Sequence, residues 1–283
     1  MNFVEQAFQF NGGDEQLLGI IANPEQPAAT GVLLVVGGPQ YRGGSHRQFV
    51  LLSRALASAG SPVMRFDHCG MGDSTGQLAS FEALNDDISA AISAFQQHCP
   101  AIKQVVLWGL CDAASASLLY CDATQDSRIS GLILLNPWVR SEASLAKTHI
   151  KHYYGQRLLQ AEFWRKLLTG QLGLGRALSG FVSSLKTAQQ KNTSAIKNEA
   201  LPFQQKMRRG LEKFPGQVLL ILSGNDYTAK EFVEATSADP KWTATLQQAN
   251  VERINIPSAD HTFSSAEWRG NVENITREWL ATQ

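Results

Sequence analysis

Gln104-Val105-Val106-Leu107-Trp108-Gly109-Leu110-Cys111-Asp112-Ala113-Ala114 is the stretch on which the reading of this chain turns. Its first half is an apolar run rich in β-branched residues, the composition of a strand buried on both faces. From Asp112 onward, Ala113, Ala114, Ala116, Leu118 and Leu119 favour a helix. A strand therefore passes directly into a helix, and Cys111 occupies the turn between them. So tight a turn holds its central residue in a strained backbone conformation, and only small residues fit two positions before and two after it. Gly109 and Ala113 stand at those positions. The pattern Gly-x-Cys-x-Ala thus presents a thiol at a helix N-terminus, where the aligned peptide dipoles stabilise a thiolate.

Similar alternation extends to both sides. Gly31–Val36 reads as a buried strand closed by Gly37-Gly38-Pro39, and Pro62–Phe66 as another, ending in Asp67. Ser130–Leu135, Gln217–Leu222 and Val251–Ile256 continue the series. Helical periodicity runs from about His46 to Ala59, from Ser80 (a plausible N-cap) to Cys99, and from about Ser265 to Leu280. Ala7–Asn23 reads as an antiparallel hairpin turning at Asn11-Gly12-Gly13. Strands apolar on both faces and separated by helices predict an α/β fold with a mostly parallel central sheet flanked by helices. From Arg140 to about Lys213 no strong strand pattern occurs, and Gly170, Gly173 and Gly175 break helical stretches rich in Leu, Phe, Lys and Gln. This region, 139–215, is expected to be a helical cap inserted between core segments 1–138 and 216–283.

Composition narrows the function classes. Hydrophobic residues are 43% and charged residues 18%, with 25 basic and 25 acidic side chains in balance. Such a chain should fold, and it lacks the basic excess that nucleic-acid binding draws on. The N-terminal residues have neither a basic nor a long apolar segment of signal-peptide type, and the longest apolar runs fall far below the roughly 18 residues of a membrane span. A soluble, cytoplasmic protein is expected, with oligomeric state left open. The four cysteines show no CxxC pair or metal-ligand spacing and should be free thiols in a reducing compartment. Cys69, Cys99 and Cys121 are expected to be small buried apolar residues.

A thiol nucleophile needs a base, and the base needs an orienting carboxylate. Among six histidines only His261 lies beyond the last strand, in a short loop before the final helix. Asp226, in the loop after Gln217–Leu222, is the favoured acid; Asp260 is its rival but adjoins the histidine in sequence and is poorly placed to reach the ring's Nδ1. The backbone N–H of Asp112 is expected to serve an oxyanion hole while its carboxylate faces outward toward solvent and helps the helix N-terminus. Gly38 is the favoured second donor, with Gln40 as alternative, since Pro39 has no N–H. A literal Gly72-Asp73-Ser74-Thr75-Gly76 also occurs, but it lies in a loop seven residues past Asp67, without a strand before it or a helix after, so Ser74 is read as a decoy. His46 and Arg47 lie near the mouth of the site but fit a solvated helix start better than a substrate contact. Asp67 and the glycines 70, 72 and 76 are expected to shape a neighbouring turn.

These features together resemble the α/β-hydrolase superfamily with an inserted cap. The matching pieces are the Gly-Gly-Pro loop, Phe66-Asp67-His68-Cys69-Gly70-Met71-Gly72-Asp73-Ser74, the strand–Cys–helix turn, Ser223-Gly224-Asn225-Asp226 and Asp260-His261. They span the chain from about Val32 to its C-terminus, in the family's order of nucleophile, acid, histidine. Three stretches, 38–50, Trp108–Ala114 and Leu135–Ser141, further resemble the hydrolases associated with bacterial exosortase systems, which accompany loci for exopolysaccharide production and protein sorting to the envelope. A Cys in place of Ser also resembles dienelactone hydrolase, which lacks such a cap. The resemblance implies an esterase- or thioesterase-like enzyme using Cys111, His261 and Asp226 through a covalent acyl-enzyme. A small-molecule acyl compound would be the substrate, and no metal or organic cofactor is needed. Acyl transfer at the same site, and a non-catalytic binding protein of the same fold, are the competing readings.

Overall fold

The computed structural model describes residues 2–38, 40–140 and 201–283. The hairpin β1 (Phe3–Gly12) and β2 (Glu15–Pro24) leads into β3 (Thr30–Val35), α1 (Gln48–Ser58), β4 (Val63–Asp67), α2 (Asn85–His98), β5 (Gln104–Leu110), α3 (Asp112–Thr124) and β6 (Ile129–Leu135). After residue 201 come α4 (Phe203–Lys213), β7 (Gln217–Ser223), α5 (Tyr227–Ser237), α6 (Pro240–Leu246), β8 (Val251–Ile256) and α7 (Ala266–Leu280). The strands form one sheet in the order β1-β2-β4-β3-β5-β6-β7-β8. The pairings of β1 with β2 and of β2 with β4 are antiparallel, and all pairings from β4 to β8 are parallel.

The parallel strands β3 to β7 are buried on both faces because each face has its own core, whereas β8, at the sheet edge, is more exposed. Along β5, Val105 and Leu107 join the core shared with α2, α3 and α4, whereas Val106, Trp108 and Leu110 join the one covered by α1 and α7. That alternation is the two-residue period of a strand read out on two helical layers. The same order puts every loop that follows a parallel strand at one edge of the sheet, the edge where open α/β sheets build their sites.

Several elements differ from the sequence reading. The hairpin strands run to Gly12 and from Glu15, so the turn is the two residues between them, with Gly13 at φ 65°. The first helix starts at Gln48, because His46 and Arg47 adopt positive φ of 53° and 59°. Ser80 accepts a hydrogen bond from the Glu82 N–H at a short 3-10 turn, and α2 begins only at Asn85. The chain divides into two compact units, Met1–Val139 with Pro202–Gln283, and Arg140–Leu201. Most of the stretch assigned to the cap, 139–215, therefore lies outside the described residues. Its C-terminal part, α4, sits in the first unit against α3. Arg209 pairs with Asp122 at 2.6 Å, and a Cβ at Gly210 would lie 2.1 Å from the Leu118 carbonyl oxygen.

Candidate active site

Cys111 stands between β5 and α3 with φ 63° and ψ −123°, the strained conformation that such a turn imposes. The small residues flanking it are required by space: a Cβ on Gly109 would lie 2.7 Å from the backbone of Ala113 and Ala114. The turn is anchored to the end of β6. The Cys111 N–H donates to the Leu135 carbonyl (2.8 Å), and the Trp138 N–H donates to the Cys111 carbonyl (3.2 Å). Ser115 Oγ donates to the Trp138 carbonyl at 2.7 Å.

His261 and Asp226 come from adjacent strands. In the pairing of β7 with β8, Ser223 is opposite Ile256, so the loops that follow leave the sheet side by side. Their backbones are tied together: Gly224 N–H donates to the Ile256 carbonyl and Asn225 N–H to the Ala259 carbonyl, each at 3.0 Å. His261 Nδ1 donates to Asp226 Oδ2 at 2.9 Å. Asp226 also caps α5, accepting from the N–H groups of Thr228 (3.1 Å) and Ala229 (3.0 Å). Burial works against its ionisation, but His261 and these amides outweigh burial and hold its carboxyl below the usual carboxylate range. The rival Asp260 is committed elsewhere, to the N–H (2.9 Å) and hydroxyl of Ser264.

His261 is pushed up to about 10, first by the hydrogen bond to Asp226 and then by Cys111, against the opposing effect of burial. The ring therefore stands between a carboxylate and a sulfur that both favour its protonated form.

Asn136 is no acid, yet the structure gives it a positioning task. Fully buried, with φ 44°, it links the loops after β6, β7 and β8. Its Nδ2 donates to Ser223 Oγ (2.9 Å) and to the His261 carbonyl (3.1 Å), and its Oδ1 accepts from the Ser223 N–H (2.8 Å). The available signal was position: Asn136 follows β6 at the level where Cys111 follows β5.

The expectation that the Asp112 carboxylate faces outward is overturned. It turns toward the loop after β3, where Oδ2 accepts the Gly38 N–H at 2.7 Å. Most of the surroundings are protein, and burial raises its carboxyl above the usual range against the lowering effect of the Gly38, Ala113 and Asp112 amides and of His68. Gly38 itself has φ 58°. The alternative donor Gln40 directs its N–H to the Gly37 carbonyl at 3.3 Å. A cavity of about 470 Å³ opens over these groups, lined by Gly37, Gly38, Gln40, Phe81, Leu110, Cys111, Asp112, Trp138 and His261.

Ser74 lies apart from this cavity lining, donating from Oγ to the Asp67 carbonyl (2.6 Å) and accepting from the Leu18 N–H (2.9 Å). Asp67 organises the same turn: it pairs with Arg42, and a Cβ on Gly72 would lie 2.1 Å from its carboxylate. His46 and Arg47 are exposed and do not line the cavity. Cys99 and Cys121 are buried thiols pushed up to about 11 and about 12, chiefly by burial, whereas Cys69 is only partly buried. Among the described residues no group of three or more His, Cys, Asp or Glu is placed to hold a metal ion, and no helix is long and apolar enough to cross a membrane.

A sheet of this order, with a strained residue between β5 and α3 and an Asp–His pair after β7 and β8, defines the α/β-hydrolase fold. Residues 29–231 match the family model described as serine aminopeptidase, S33, and the chain belongs to that family. The family is named for serine, whereas this chain carries Cys111 in the turn. No curated protein matches the chain in sequence. Among solved structures it is similar to an esterase of Pyrococcus furiosus (15% identity, TM-score 0.65, covering 99% of this chain and 91% of that one). Est1E of Butyrivibrio proteoclasticus, solved with ferulic acid bound, is similar at 14% identity and TM-score 0.62, covering 98% and 99%. Mouse alpha/beta hydrolase domain-containing protein 10 gives 13% identity and TM-score 0.60, covering 98% and 99%. At these identities the likeness is one of fold.

Proposed function

We propose that this hydrolase cleaves an ester or thioester with Cys111 as nucleophile, His261 as acid and base, and Asp226 as the group that orients His261. The observation that carries the reading is the His261 Nδ1 bond to Asp226 at 2.9 Å, with Cys111 acting on the same ring. Asp226 and Cys111 both favour the protonated ring of His261, which suits it to take the thiol proton as Cys111 attacks. The thiolate attacks the acyl carbon, and collapse of the tetrahedral species forms the thioester and expels the alkoxide or thiolate of the leaving group. That group takes the proton from His261 Nε2. Water then attacks the thioester, gives a proton to His261, and releases the carboxylic acid and the Cys111 thiolate.

The Asp112 and Gly38 amides are the candidate oxyanion donors, and the lining of Phe81, Leu110 and Trp138 suits an apolar acyl or alcohol group. A reducing, cytoplasmic setting fits a thiol nucleophile. The resemblance of 38–50, Trp108–Ala114 and Leu135–Ser141 to exosortase-associated hydrolases supports a role beside exopolysaccharide production. The test is a panel of p-nitrophenyl esters and acyl-CoA thioesters with wild type, Cys111→Ala and Cys111→Ser. Turnover lost in Cys111→Ala supports the reading, and turnover retained there refutes it.

A further inference from the structure

The oxyanion side of the cavity already holds a carboxyl oxygen. Asp112 Oδ2 accepts the Gly38 N–H at 2.7 Å, and the amides of Ala113 and Asp112 itself stabilise the same carboxylate. The loop after β3 is shaped around this group, since a Cβ on Gly37 would lie 2.0 Å from Asp112 Oδ1. Asp112 lines the cavity that Cys111 and His261 also line. The Gly38 amide, one of the two backbone donors that in this fold receive a carbonyl oxygen as it becomes negative, is thus turned to a carboxyl oxygen supplied by the chain.

We propose that the Asp112 side chain is a resident occupant of the oxyanion site, which an incoming carbonyl oxygen must displace before Cys111 can be acylated. The inference rests on Cys111 being the nucleophile. Rotation about the Asp112 side-chain torsions carries the carboxylate away from Gly38 while the backbone of α3 stays in place. Displacement has to be driven by binding of the rest of the substrate, so the occupant is a specificity device. A small ester that offers little beyond its carbonyl acylates slowly, and a substrate that fills the apolar part of the cavity acylates fast.

The test compares two reactions of the same sulfur in the full chain. Acylation by p-nitrophenyl acetate develops an oxyanion, whereas alkylation by iodoacetamide displaces iodide at a saturated carbon and develops none. Asp112→Ala removes the occupant. Asp112→Asn keeps the shape, and its amide oxygen still accepts from Gly38 without the charge, which safeguards the test if the alanine variant folds poorly. One oxyanion donor is worth about 10²–10³ in rate, so freeing Gly38 should raise acylation about 10-fold or more in Asp112→Ala, and by less in Asp112→Asn. Alkylation should change little in both. Acylation that stays level or falls in both folded variants overturns the proposal. So does a parallel rise in acylation and alkylation, which would make the carboxylate a damper on the thiolate rather than an occupant. Loss of the nucleophile assignment reads differently: ester turnover that survives in Cys111→Ala, or in iodoacetamide-treated wild type, removes the parent reading and this inference with it.

Discussion

Replacing Asn136 by alanine removes the tie among the three loops that carry the site. Three hydrogen bonds go with the side chain, two to Ser223 and one to the His261 carbonyl. At about 1 kcal/mol net for each, their loss costs about 3 kcal/mol. Asn136 also adopts φ 44°, where alanine adds about 1 kcal/mol that asparagine largely escapes. The total of about 4 kcal/mol corresponds to a fall in Tm of about 8–16 °C for a domain near this size. Asn136→Gly separates the contributions: it loses the same bonds but accepts the positive φ, so it should be more stable than Asn136→Ala by about 1 kcal/mol. Activity should fall in both, because the His261 main chain loses its anchor and a displacement of about 1 Å at a reacting group can cost about 10²-fold. Thermal melts and kcat and KM on one p-nitrophenyl ester measure both effects, with kcat carrying most of the loss. An Asn136→Ala protein with wild-type Tm and kcat, or a glycine variant less stable than the alanine one, refutes the reasoning.

Asp226→Asn keeps an oxygen to cap α5 but removes the charge facing His261, and kcat should fall about 10⁴-fold, as when a triad carboxylate becomes an amide. The same variant tests the electrostatics by pH. His261 is raised from about 6.5 to about 10, so its contribution to stability is complete below about 6.5 and disappears as pH rises toward about 10. Asp226 is lowered from 3.8, so its contribution is present above that value and is lost as pH falls below it. The stability gap between wild type and Asp226→Asn in urea melts should therefore be widest near pH 5–6 and narrow toward pH 10; a gap that widens with alkalinity contradicts the assignment. Ser74→Ala removes two hydrogen bonds of a turn, so it should lose about 2 kcal/mol in denaturant melts while kcat stays near wild type. Gly109→Ala meets the backbone of Ala113 at 2.7 Å; with backbone on both sides of the clash it should abolish soluble expression or lower Tm severely, as measured by soluble yield and melting.

The parts of the fold legible in sequence were those whose local pattern and tertiary role agree. Strands β3 to β7 are short apolar runs between turn residues and are buried on both faces, so their boundaries fall within a few residues of the reading, as do those of the more exposed edge strand β8. Helices α5 and α6 escaped because their starts are side-chain caps, Asp226 and Asp239, rather than long apolar stripes. One carboxylate, that of Asp226, both caps α5 and accepts from His261. In the site, the order of Cys111, Asp226 and His261 and the strand-to-helix turn were readable, because the turn's steric demands select the residues around it. The direction of the Asp112 carboxylate was not: an acidic first-turn residue ordinarily gains from the helix dipole facing solvent, and nothing local signals that Gly37 and Gly38 leave space for it inside. Asn136 was missed because its partners, Ser223 and His261, lie 87 and 125 residues away in sequence.

The most direct test of the account is to find where the acyl group resides. Wild type mixed with a p-nitrophenyl ester, quenched in acid during the burst and digested, should carry the acyl mass on the peptide containing Cys111, and Cys111→Ala should carry none and show no burst. An acyl group on any other residue, or a full burst in Cys111→Ala, would contradict the assignment of Cys111 as nucleophile.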